Sequence, residues 1–164
     1  MLRKIISGGQ TGADRAALDF AIVHGIAHGG WCPRGRWAED GTIDARYSLT
    51  ETPSSDPAQR TEWNVRDSDG TLIISVAREL VGGSKLTMEF AAAHQKPWLH
   101  LWRHPDLEVG ARHLSEFLET HPIKVLNIAG PRSSEEPGVE VFVKDVCNAV
   151  LGNSNENLPG KTAL

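Results

Sequence analysis

The sequence predicts an α/β fold of three layers, a mostly parallel sheet of about five strands with helices on both faces. Three observations predict it. Short apolar runs alternate with helical stripes along the whole chain. The clearest runs are β-branched and apolar on both parities, as strands covered on both faces must be. Glycine-bearing turns follow three of the runs, two of them just where a helical pattern opens.

In chain order, the strands are predicted at Lys4–Ser7, His28–Trp31, Thr71–Val76, Pro97–Trp102 and Lys124–Ala129. The third and fifth carry the strongest signal and the second the weakest, because two of its four residues are glycine. Ala13–His24 reads as a helix, with Ala17, Leu18, Ala21 and Ile22 on one stripe. A shorter helix covers Pro57–Arg66, and further helices cover Thr87–Gln95, Val109–His121 and Val139–Leu151. Residues 33–56 hold Pro33, Gly35, Gly41 and Pro53 without a sustained period; a loop this long is a functional cover or partly disordered. Residues 1–152 are expected to form one ligand-binding domain, and 153–164 a flexible polar tail.

Composition narrows the function. Hydrophobic residues at 40% and charged residues at 23% are a globular balance. A net charge of −4 gives no bulk attraction to nucleic acid or to an anionic membrane. No apolar run approaches the ~20 residues that span a bilayer. Cys32 and Cys147 form no zinc or disulfide pattern and read as packing. With no signal-peptide pattern after Met1, the expected location is the cytoplasm.

The first predicted strand runs into Gly8, Gly9, Gln10, Thr11, Gly12, Ala13 and Asp14, and this turn opens the first helix. Glycine lets the backbone approach a ligand closely, and N–H groups at a helix start attract an anion. The third strand leads to Gly82, Gly83, Ser84 and Thr87, and the fifth to Gly130, Pro131 and Arg132. All three turns follow carboxyl ends, which in a parallel sheet share one edge, where ligands bind. Arg132 offers a bidentate clamp for phosphate or carboxylate. Neither a Walker A loop nor the G-x-G-x-x-G dinucleotide order is present.

These turns belong to a longer register. Gly8–Arg15, Gly30–Gly35 with Glu39–Gly41, Arg60 and Thr61 with Asn64 and Asp67–Thr71, Gly82–Ser84 with Thr87, and Asn127–Arg132 occur in this order. The set resembles the molybdenum-cofactor carrier family, in the circularly permuted branch of the SLOG superfamily, over roughly residues 3–151. The resemblance implies a Rossmann-like fold, a homo-oligomer (dimer or tetramer), and a pocket for molybdenum cofactor (molybdopterin) or another phosphorylated heterocycle as cargo. It also places Arg60, Asn64 and Asp69 in a ligand motif. A related branch hydrolyses nucleoside monophosphates with the signature G-G-x-G-T-x-x-E. Gly82, Gly83 and Glu89 fall on three of its positions, but Lys85 and Leu86 stand at the third glycine and the threonine.

The functional expectation is a carrier that holds a phosphorylated small molecule on backbone amides, with Arg132 and Arg34 or Arg60 neutralising its charge. The protein itself supplies no metal ligand set. The alternatives are a nucleotide or NAD-derived-metabolite hydrolase, with Glu89 as the acid or base, and a nucleotide-ligand sensor. Trp31, Trp37 and Trp63 either stack on a heterocycle or pack the loop; Trp98 and Trp102 share a strand face and read as core or interface.

Overall fold

The computed structural model describes residues 1–104 and 106–152. The tail predicted at 153–164 lies outside them. The elements in order are β1 (Lys4–Ile6), α1 (Ala13–Val23), β2 (Ala27–Gly29), β3 (Trp31–Cys32), β4 (Trp37–Ala38), β5 (Gly41–Thr42) and β6 (Thr50–Glu51). There follow α2 (Pro57–Arg66), β7 (Gly70–Ser75), α3 (Gly82–Ala93), β8 (Trp98–Trp102), α4 (Leu107–Thr120), β9 (Val125–Ala129) and α5 (Val139–Leu151).

Five strands form one all-parallel sheet in the order β2-β1-β9-β7-β8. Helices α1, α4 and α5 pack together on one face and α2 with α3 on the other, giving the three layers of a Rossmann-like fold. On the first face Ile5, Leu72, Ile74, Leu126 and Ile128 meet Ala17, Phe20, Val143 and Val146 in the main apolar core. Neighbours of opposite parity, Thr71, Ser75 and Asn127, are buried toward the second face. The wide alanine stripe of α1 lets that helix lie close to the sheet.

Most predicted bounds move by one or two residues, and two of the shifts have a clear physical cause. The second strand ends at Gly29, and Gly30 at φ 124° turns the chain so that Trp31 and Cys32 join β6 instead. A Cβ on Gly30 would lie 2.3 Å from the Ser7 carbonyl, so only glycine fits there. Helix α3 begins at Gly82, not Thr87, and Gly82–Thr87 form its opening turns rather than a loop before it. Low glycine propensity hid this start.

The segment 33–56 carries regular structure. It supplies β6, which pairs with β3, the β4–β5 hairpin, and Ala38, Ile43 and Tyr47, which form a small second core with Cys32 and Leu18 of α1. Arg36 holds it closed: its guanidinium donates to the carbonyls of Ile43 (3.1 Å), Asp44 (2.9 Å), Tyr47 (3.0 Å) and Leu49 (3.1 Å).

Candidate functional site

A polar cavity of about 60 Å³ opens at the carboxyl edge of the sheet, between β1, β9 and the second helical layer. Gly8, Gln10 and Asp14 line it from the β1–α1 turn, and Gly83, Ser84 and Thr87 from the start of α3. Ala129, Gly130, Arg132 and Glu135 line it from beyond β9, and Arg60, Thr61 and Asn64 from α2. Three glycine turns distant in sequence thus share one small space. Its size decides what it encloses: a few waters or one compact polyatomic anion, not a whole heterocyclic cofactor.

The turns are locked together by backbone. Ala13 N–H donates to the Pro131 carbonyl at 3.1 Å. Gly12, at φ 82°, has no room for a side chain, since a Cβ would lie 2.4 Å from that same oxygen. Glu39, from the β4–β5 turn, joins the first and third turns by accepting from the Thr11 hydroxyl and from Ser134 N–H and hydroxyl. These bonds, with the Arg132 guanidinium 4.0 Å away, hold the Glu39 carboxyl below the usual carboxylate range. Gln10 Oε1 accepts from Thr11 N–H (2.9 Å) and Glu39 N–H (3.0 Å).

The first turn therefore differs from its sequence expectation. Several of its main-chain donors, and those of Ser133 and Ser134, already bond to the protein's own oxygens. The start of α3 contrasts with it. Val81 at the N-cap contributes no side-chain bond, which leaves the first N–H groups of α3 without a side-chain cap, and Gly83 and Ser84 of that first turn line the cavity.

Charge in the cavity comes from α2 and α1. Arg60, 8% exposed, donates from Nη1 to the Gly8 carbonyl at 2.8 Å and lies 3.9 Å from the Asp14 carboxylate. Burial pushes the Asp14 carboxyl above its ordinary range, against the lowering pull of Arg60. Arg132 is paired more loosely, with Glu135 at 3.5 Å and Glu39 at 4.0 Å. Two arginines thus line the cavity, Arg132 half-buried and Arg60 nearly enclosed, and Arg60 sits beside a carboxyl that burial pushes toward its neutral form.

Other predicted residues sit elsewhere. Asn64 lines the cavity, but its amide is occupied with the Trp31 backbone, accepting from N–H (2.8 Å) and donating to C=O (2.9 Å). Asp69 is at the opposite, amino edge of the sheet, where its carboxylate accepts from Lys124 N–H (2.9 Å) and Val125 N–H (2.8 Å) and fixes the start of β9. Arg34 is exposed in the 33–56 segment, and Gly82 is exposed at the α3 start. Glu89 is exposed on α3 and does not line the cavity. Gly9 faces Leu49 and Ile43 rather than the cavity, and Pro131 is buried as part of the lock. Trp31 and Trp63 pack edge to face at 4.7 Å, with Arg66 over Trp63, and neither lines the cavity. Asn127, Thr61 and Glu135 line it without having been singled out as site residues. An asparagine within the apolar run Val125–Ala129 was the signal available for Asn127.

The sequence profile of the circularly permutated YpsA SLOG family matches residues 5–151, nearly the whole chain. The chain belongs to this family. Within the SLOG fold it is similar to the crystal structure of a "putative molybdenum carrier protein" from Syntrophus aciditrophicus SB. The two are 51% identical with a TM-score of 0.88, over 92% of this chain and 95% of that one. No curated protein matches the chain.

Proposed function

We propose that this SLOG protein binds a phosphorylated small molecule by its phosphate, and that the molecule is molybdenum cofactor carried as cargo. The single observation that carries the reading is the cavity itself, where Arg60, Arg132 and the uncapped start of α3 converge on a space suited to one tetrahedral anion. The heterocycle would extend outward past Glu135 and Gly83, the exposed residues of the lining. Among the described residues no group of three or more His, Cys, Asp or Glu is placed to hold a metal. The similarity to a protein named as a molybdenum carrier supports this choice of cargo. No helix among the described residues is long and apolar enough to cross a membrane.

Native mass spectrometry of the gently purified chain tests the reading. The expected result is a bound species of pterin-cofactor mass that inorganic phosphate displaces. A chain that carries no such species, and whose titration with phosphate or sulfate releases no heat, overturns it.

A further inference from the structure

Strand β8 has the sequence Trp98-Leu99-His100-Leu101-Trp102, which reads the same in both directions. It is also an edge of the five-stranded sheet. Flanking its ladder, Thr71 N–H donates to the Pro97 carbonyl (3.0 Å) and Arg103 N–H to the Ser75 carbonyl (3.0 Å). In a parallel ladder this alternation turns Leu99 and Leu101 toward β7, and the N–H and C=O groups of Trp98, His100 and Trp102 away from it. Soluble proteins shield such edges with charge, proline or a bulge. This strand has none of them, and it keeps Trp98 40% and Trp102 39% exposed beside a groove of about 520 Å³ with Leu80 and Met88.

From this arrangement we infer that β8 is the seam of a homodimer, pairing antiparallel with β8 of a second copy about a two-fold axis at His100. A palindrome on such an axis sets each residue opposite its own kind. His100 exchanges both backbone bonds with His100 of the partner subunit, and Trp98 pairs with Trp102 of the partner subunit on each side. The outward-facing backbone groups are centred on the residue that the axis requires. Strand β8 itself carries no Asp, Glu, Lys or Arg; the nearest cations are Arg78, whose guanidinium lies over the Trp102 ring at 5.4 Å, and Lys85, both in the wall of the same groove. Continuing the sheet to ten strands removes one exposed edge from each copy.

Sedimentation of the full chain should give twice its 17.9 kDa mass or a multiple of that. Trp98→Lys/Trp102→Lys sets like charges opposite each other on both sides of the axis, and should halve the assembly while leaving the thermal transition cooperative. Trp98→Lys/Trp102→Glu makes both cross-strand pairs attractive in this register alone, and should restore the mass. His100→Cys keeps the proposal falsifiable if the first variant fails to fold. Cys32 and Cys147 are buried, so a short bismaleimide should cross-link copies at position 100 and not in a Val23→Cys control on α1. A monomeric natural chain, an undiminished Lys/Lys assembly, or no cross-link at position 100 overturns the seam.

Discussion

The two faces of the central sheet are built from the same strands and do different work. Toward α1, α4 and α5, residues such as Leu72, Ile74, Leu126 and Ile128 are aliphatic and fully buried. At the alternate positions the face is mixed: Ile6 and Ile73 are buried and apolar, while Thr71, Ser75 and Asn127 bring polar groups toward α2 and α3, whose inward residues include Asn64, Ser84 and Thr87. The first face holds the domain together through burial. The second keeps hydrogen-bonding groups out of bulk water, the condition under which they recognise a polar ligand strongly. The polar groups available for recognition are thus gathered on one parity of the strands rather than in a separate domain.

That division can be broken or sharpened. The largest effect belongs to the apolar face: Ile128→Ala should cost about 2–5 kcal/mol in urea unfolding, and a loss below about 1 kcal/mol would mean that this face is not the main core. Gly130→Ala comes next. Its Cβ would fall 2.1 Å from the Ile74 carbonyl and 2.7 Å from the Ala13 Cβ, forcing the third turn off the first. A loss of about 1–3 kcal/mol in stability should accompany loss of sulfate binding by calorimetry.

Arg132→Ala should leave the melting temperature near that of the natural chain, yet weaken phosphate or sulfate binding by about 1–3 kcal/mol; unchanged affinity would remove Arg132 from the site. Asn127→Ala, on the polar face, should cost only about 1 kcal/mol in stability, because its one side-chain bond, to Thr71 Oγ1 at 3.3 Å, is long. A cost equal to that of Ile128→Ala would erase the distinction between the faces.

The smallest effect is a pH dependence. The folded-state pKa of Asp14 lies above its unfolded value, so the folded chain holds the extra proton in the window above the ordinary carboxylate range. Stability from this group is full below that window and is lost as pH rises through it. Over the same window the carboxylate formed beside Arg60 competes with an incoming anion. Sulfate, whose charge stays constant there, should bind more weakly as pH rises, and Asp14→Asn should flatten both dependences. An equally steep sulfate profile in the variant would assign the titration to another group.

Strand and helix identity were legible because they depend on local periodicity. The β-branched runs that became β7 and β9, and the alanine stripe of α1, needed no tertiary context. The three glycine turns were legible as well, since glycine at a strand end has few other uses. What each turn offers was not. That Gln10, Asp14 and Glu39 occupy main-chain donors around the first turn, while the start of α3 stays uncapped, depends on partners up to 95 residues apart. Asp69 and Asn64 looked alike as polar residues in a motif, yet one fixes the amino edge of the sheet and the other bonds to the Trp31 backbone.

By itself the sequence determined the layers, the parallel sheet and the edge at which the glycines gather, because periodicity and turn chemistry act over a few residues. Only the tertiary structure decided which groups enclose the cavity and which are already satisfied. Burial and hydrogen-bond partnership are properties of neighbours in space, and chain order does not encode them locally.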